Sequence, residues 1–133
     1  MTYNELIDSI ATAIARMEGF FKPNSLAARN NNPGNLRSWG KNPIVAGYAK
    51  FPTEFAGWLA LRRQIYKNIE RGLTLYEFFG GKKSETGKVI YPGYAPAADN
   101  NYPRHYAEFV SAKTGCPPDV VLLTLIKEKP NAA

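Results

Sequence analysis

The chain has 133 residues, 44% of them apolar and 21% charged, which excludes a disordered or fibrous chain and fits one globular domain with its own core. A net charge of +6 favours polyanionic partners and admits nucleic acid, anionic membrane and bacterial cell wall alike. No apolar run approaches the roughly 20 residues of a bilayer-spanning helix, so no membrane span is expected.

Thr2 and Glu5 spell a T-x-x-E capping box. Leu6, Ile7, Ile10, Ala13, Ile14 and Met17 follow at three- and four-residue steps, predicting a helix from Tyr3 to Glu18 that Gly19 stops. Glu5, Asp8 and Glu18 interrupt this N-terminal stretch, which lacks the basic start and unbroken apolar core of a signal peptide. The expectation is a protein made in the cytoplasm that reaches its place of action by release or delivery. Phe20 to Pro52 holds Pro23, Pro33, Pro43, Gly34, Gly40 and Gly47 and reads as irregular chain. Within it, Leu36–Trp39 and Tyr48–Phe51 are expected to pair as a small β-hairpin.

A second helix starts at Thr53 as N-cap and ends at Gly72, with Phe55, Trp58, Leu59, Ile65, Tyr66 and Ile69 as its expected buried face. A short third helix opens with another capping box, Thr74 to Glu77, and buries Leu75, Phe78 and Phe79. Gly80 to Asn100 reads as a long polar loop, of a kind that often carries function. A fourth helix is expected from Asn101 to Thr114, with Tyr102, Tyr106, Phe109 and Val110 on one face and Gly115 as its stop. Pro117-Pro118-Asp119 opens a last helix carrying Val120, Leu123 and Ile126, before a frayed tail. The fold class expected is mainly α (α+β), one domain over 1–133, with about five helices and a small hairpin. Its two irregular segments would frame a cleft.

Glu18 continues the apolar stripe of the first helix, eight residues after Ile10 and four after Ile14. A carboxyl group placed there is desolvated, with Phe20 and Phe21 as further shields, and it faces the electronegative helix end. Both effects favour the protonated form that a general acid needs. The competing reading is an ion-paired last-turn glutamate with Arg16 or Lys22 beside it. The run Arg29-Asn30-Asn31-Asn32-Pro33-Gly34-Asn35-Leu36-Arg37 sets several amides on a tight-turned loop, where they can serve sugar hydroxyls and N-acetyl groups or simply make Asx turns. Tyr91-Pro92-Gly93-Tyr94-Ala95-Pro96 and Asp99-Asn100-Asn101-Tyr102 mix rings and amides in the way carbohydrate sites do, or else cap a helix and fill a core. Cys116, the only cysteine, excludes an intrachain disulfide and reads as a buried structural thiol. His105, the only histidine, has no metal-ligand spacing around it and reads as an exposed side chain. No metal and no cofactor are expected.

The segments taken in order are E-G-F, R-N-N-N-P-G-N-L-R, G-Y-A-K-F-P-T-E-F-A-G-W-L-A-L, R-G-L-T-L-Y-E-F and Y-A-P-A-A-D-N-N-Y-P-R-H-Y. As a set they resemble the small lysozyme-like, lytic-transglycosylase-like domains of phages and bacteria, in the superfamily of soluble lytic transglycosylases and goose-type lysozymes. The resemblance runs from about Ile10 to Gly115. It implies an α-rich lysozyme-like fold with a cleft between two lobes, and a catalytic glutamate at a helix end, matched by Glu18. The implied substrate is the β-1,4 bond between N-acetylmuramic acid and N-acetylglucosamine in peptidoglycan glycan strands. Asn32, Asn35, Arg37 and Tyr48 would line the cleft from one side, and Tyr94, Asp99, Asn100, Asn101 and Tyr102 from the other. Where the best-known lytic transglycosylases carry a Gly-Leu-Met-Gln type segment, this chain has N-N-P-G-N-L-R.

A glycosidase that uses water needs a second carboxylate, for which Asp99 and Glu54 are the choices here. A lytic transglycosylase does not, because the sugar's own C6 hydroxyl attacks and closes a 1,6-anhydro ring. Transglycosylase therefore stands ahead of hydrolase, and both ahead of a noncatalytic wall-binding module of the same fold. A nucleic-acid partner is not expected, because the cations follow no single helix. The enzyme would act as a monomer in phage lysis, from a virion or after secretion.

Overall fold

The computed structural model describes residues 1–94 and 102–127. Among these, the chain is mainly helical, with five α-helices and two small antiparallel sheets. The helices are α1 (Tyr3–Met17), α2 (Leu26–Arg29), α3 (Glu54–Glu70), α4 (Leu75–Gly80) and α5 (Pro103–Thr114). The strands are β1 (Ile44–Val45), β2 (Tyr48–Ala49), β3 (Lys82–Lys83) and β4 (Val89–Tyr91). No described helix is long and apolar enough to cross a membrane. The chain forms two compact units, residues 7–66 and residues 1–6 with 67–133.

In the unit of residues 7–66, α1 runs as its stripe requires, with Ile10 and Ile14 fully buried and Ile7 nearly so. The capping box that starts α1 forms, Thr2 N donating to Glu5 Oε1 at 2.9 Å and Glu5 N to Thr2 Oγ1 at 3.1 Å. Gly19, at φ 75°, ends the helix. The following segment holds a helical turn that the proline and glycine count hid. Ser25 caps α2 by accepting from Ala28 N at 3.1 Å. The hairpin also differs from expectation. Its strands are Ile44–Val45 and Tyr48–Ala49, with Ile44 opposite Ala49 and Val45 opposite Tyr48. Ala46 and Gly47 both have positive φ, 54° and 88°, which makes the tight turn whose twist suits a two-residue hairpin. Leu36 meets β2 only through its carbonyl, which accepts from Ala49 N at 2.9 Å.

Helix α3 begins where Thr53 Oγ1 accepts from Ala56 N at 3.1 Å. Its inward face is not the one its large residues predict. Phe55 is 72% exposed, and Leu59 and Tyr66 are exposed as well, whereas Gly57, Ala60, Leu61, Ile65, Asn68 and Ile69 are buried. The reason lies at Gly57. A Cβ there would sit 1.8 Å from Asn31 O and 2.9 Å from Pro33 Cδ, so the helix lies backbone to backbone on the asparagine loop and turns its small residues inward.

In the other unit, the Thr74–Glu77 capping box sets α4, whose Leu75, Phe78 and Phe79 are fully buried. α4 packs on α5, where Ala107 and Val110 are buried and Gly115 makes a left-handed stop. The stretch after α4 is a hairpin rather than a plain loop. Lys82 pairs with Tyr91 and Lys83 with Val89, with a register irregularity between the two lysines. The expected last helix shrinks to one 3₁₀ turn, Leu122–Leu125. There Leu122 is buried and Leu123 exposed. Leu122 N donates to Leu73 O at 2.9 Å, a bond that spends the segment on the end of α3's connection rather than on a helix of its own. Cys116 is buried, as its sequence context implies.

Candidate active site

Glu18 is the first residue past α1. Its backbone N–H still donates to Ile14 O at 2.9 Å, so the side chain keeps the helical direction and remains half-buried. Loss of solvent raises its carboxyl from the ordinary 4.5 to about 7, and a hydrogen bond from Asn35 opposes part of that rise. Asn35 Nδ2 donates to Glu18 Oε2 at 3.4 Å. The ion pair that would make Glu18 an ordinary surface glutamate is absent among the described salt bridges. Phe20 lies edge-on to Trp58, ring centroids 5.5 Å apart, but Phe21 is 56% exposed and is no shield.

Asn35 is held in the left-handed region at φ 49°, and Asn31 likewise at 52°. Few side chains adopt this conformation, and asparagine does so most readily among residues that have one. The Asn35 Oδ1 atom is buried without a hydrogen-bond partner. The amide can therefore serve both states of its neighbour. Nδ2 donates to the carboxylate, and a rotated amide offers Oδ1 to the protonated acid.

The loop that presents Asn35 is fixed by its other asparagines. Asn32 has no exposed surface. Its Nδ2 donates to Leu36 O at 2.9 Å and to Ala49 O at 2.8 Å, and its Oδ1 accepts from Leu36 N at 2.9 Å. Every polar atom of that amide is spent inside the protein, so Asn32 shapes the loop and does not reach a ligand, contrary to the sequence expectation. Asn30, also buried, donates to Val45 O at 3.1 Å, and Asn31 Nδ2 donates to Phe51 O at 3.1 Å. Arg37 is exposed, with its guanidinium 5.5 Å from the centroid of the half-buried Tyr48 ring. Asn35, Arg37 and Tyr48 thus share the unit that contains Glu18.

The second expected cluster lies in the other unit. Tyr94 is half-buried with its ring 5.6 Å from Phe78 and 5.8 Å from Phe79, and its N–H donates to Phe78 O at 2.8 Å. Much of that ring is therefore committed to the α4 core. Tyr102 is 70% exposed and stands 5.9 Å from the ring of His105, which is exposed as expected. Asp99, Asn100 and Asn101 lie outside the described residues. Of the two candidates for a second carboxylate, Glu54 is exposed in the first turn of α3 and accepts from Trp58 Nε1 at 3.1 Å. That bond ties Glu54 to its own helix.

No family model, curated protein or solved structure matches this chain. The chemistry rests on the residues themselves. They offer one partly desolvated acid on a rigid helix end, an amide that can follow its protonation, and a loop whose shape is locked from behind. Sequence reasoning passed over Gly57 and gave Asn32 a ligand-facing role in place of its structural one. A glycine in the middle of an otherwise regular helix was the available signal for the first.

Proposed function

We propose that this chain cleaves peptidoglycan glycan strands at the bond between N-acetylmuramic acid and N-acetylglucosamine, as a lytic transglycosylase with Glu18 as general acid and then base. The observation that carries the reading is the half-buried Glu18 at the end of α1, raised to about 7 by desolvation and bonded to Asn35. A carboxyl group in that range is protonated often enough to act as acid and ionised readily enough to act as base. The order of segments that resembles the lysozyme-like transglycosylases supports the same substrate. On this reading the chain has a lysozyme-like fold with a glycan cleft, and Asn35, Arg37 and Tyr48, in the same unit as Glu18, are the residues that face sugar beside the acid.

In the first step Glu18 gives its proton to the glycosidic oxygen as the bond from that oxygen to the anomeric carbon breaks. The N-acetyl group of the muramic residue supports the electron-poor carbon. In the second step the C6 hydroxyl of the same sugar attacks, its proton passes to the Glu18 carboxylate, and a 1,6-anhydro ring closes. The acid is restored and no water is consumed. Because the nucleophile belongs to the substrate, a single carboxylate suffices, and holding that nucleophile in place contributes on the order of 7 kcal/mol to lowering the barrier. Glu54, tied to Trp58, is a poor water-activating base, which supports transglycosylation over hydrolysis through that residue.

The test is digestion of purified peptidoglycan by the wild type and by Glu18→Gln, with products identified by mass spectrometry. Products ending in 1,6-anhydromuramic acid, absent with the variant, are expected. Reducing ends would replace the transglycosylase with a hydrolase. A folded wild type that releases nothing would refute glycan cleavage.

A further inference from the structure

Behind the asparagine loop lies a pocket of about 540 Å³ that the proposed chemistry does not use. It is lined by Asn31, Lys41, Asn42, Pro43, Lys50, Phe51 and Pro52. Its size falls among small-ligand sites, which are typically several hundred Å³. Its walls are the segments on either side of the first hairpin, and they are pinned to each other. Lys50 N donates to Pro43 O at 2.8 Å, Asn42 Nδ2 to Trp39 O at 2.7 Å and Asn31 Nδ2 to Phe51 O at 3.1 Å. The pocket is thus built into the backbone rather than left between mobile side chains.

Its charge is one-sided. Between Glu18 and Glu54 the chain carries Lys22, Arg29, Arg37, Lys41 and Lys50 and no acidic residue, so nearly all of the net +6 resides in this stretch. Lys41 and Lys50 are exposed, and neither enters a salt bridge among the described residues. The lining thus combines two lysines, the apolar Pro43, Phe51 and Pro52, and the amides of Asn31 and Asn42.

We infer that this pocket binds a carboxylate-bearing oligopeptide, the acidic stem that a muramic residue carries. The inference rests on the glycan-cleaving reading and extends it from the sugar backbone to the peptide branch. The lysines suit free carboxylates, the asparagine amides suit peptide N–H and C=O groups, and the proline and phenylalanine surfaces suit alanine methyls and Cα hydrogens. A phosphate polymer or nucleic acid fits less well. It calls for a row of cations following a backbone, whereas here two lysines share the lining with two prolines and a phenylalanine. Asn31 is four residues from Asn35, so one short loop would serve both the branch and the acid that cuts beside it.

The experiment is titration calorimetry of the intact protein with the free tetrapeptide L-alanyl-γ-D-glutamyl-meso-diaminopimelyl-D-alanine. The same peptide with its carboxylates amidated, inorganic pyrophosphate and a short single-stranded DNA are run beside it. The free peptide should bind, and both amidation and the double variant Lys41→Gln/Lys50→Gln should weaken it about tenfold or more. The variant side chains are exposed, and an unchanged circular dichroism spectrum checks the fold. Equal binding of the amidated peptide, an unaffected double variant, or tighter lysine-dependent binding of pyrophosphate or DNA would overturn the inference. Glycan cleavage without peptide binding refutes this site alone. Peptide binding through the two lysines without any cleavage refutes the catalytic reading and leaves the site standing.

Discussion

Glu18→Gln should abolish activity and at the same time stabilise the protein, by an amount that grows from about pH 4.5 to about pH 7 and then holds. In the folded chain the Glu18 carboxyl is raised from 4.5 to about 7 by desolvation. A group raised in this way binds its proton more tightly when folded than when unfolded. Below about pH 4.5 it is protonated in both states and the glutamine variant is nearly isosteric, so the two proteins should unfold alike. As pH rises toward 7 the unfolded chain ionises first, and the wild type loses stability progressively. Above 7 the loss is complete. The shift from 4.5 to about 7 is worth roughly 3 kcal/mol at 1.36 kcal/mol per unit, and less in practice because the side chain is only half-buried. Urea unfolding of both proteins from about pH 4 to pH 9 measures it, with the variant pulling ahead between about pH 4.5 and 7 and keeping its lead above that. A difference that stays flat with pH would refute the buried-acid assignment, whatever the activity assay reports.

Four further outcomes follow from the same site and the loop beside it. Activity should fall as pH rises through about 7, because the acid must be protonated in the first step, and a pH profile of kcat/KM reads this directly. Asn35→Gly should move that alkaline limb upward, since the bond it removes lowers the Glu18 pKa and glycine keeps the φ of 49° without strain; an unmoved limb would remove Asn35 from the acid's environment. Asn32→Ala strands Leu36 N and Ala49 O in the interior, leaving Leu36 O with Ala49 N as its donor, and should cost about 3 kcal/mol in denaturant unfolding. Gly57→Ala gains about 1 kcal/mol of helix propensity yet drives a methyl into Asn31 O, for a net loss near 2 kcal/mol in thermal unfolding; a stabilised variant would contradict the close packing of α3 on the loop.

Much of the helical frame could be read from local rules. Thr2 and Glu5, and Thr74 and Glu77, each announce a helix by two reciprocal hydrogen bonds that need no tertiary partner. The apolar stripe of α1 is unambiguous because its opposite face is polar. α3 misled because apolar residues surround it. Phe55 and Leu59 outweigh Gly57 and Ala60 in hydrophobicity, but what decides the face is how near the asparagine loop must come. The second hairpin escaped notice because two- and three-residue strands rich in lysine show no alternation to detect. Glu18 was legible as a candidate acid from its place on the stripe. The role of Asn32 was not, because composition cannot tell an amide that meets a ligand from one that bonds backbone groups four and seventeen residues away.

The three inward bonds of Asn32 have a bearing on binding as well as on folding. A loop of asparagine, proline and glycine ordinarily keeps many conformations and must surrender them when a ligand arrives. Here residues 30–36 surrender them during folding, tied to the first hairpin and pressed against α3. A ligand meeting this loop finds its ordering already complete, so little of the affinity is lost to freezing the protein. The amide hydrogens of Leu36 and Ala49 should accordingly exchange with solvent on the timescale of unfolding of the whole unit, although one of them lies in a stretch without regular secondary structure.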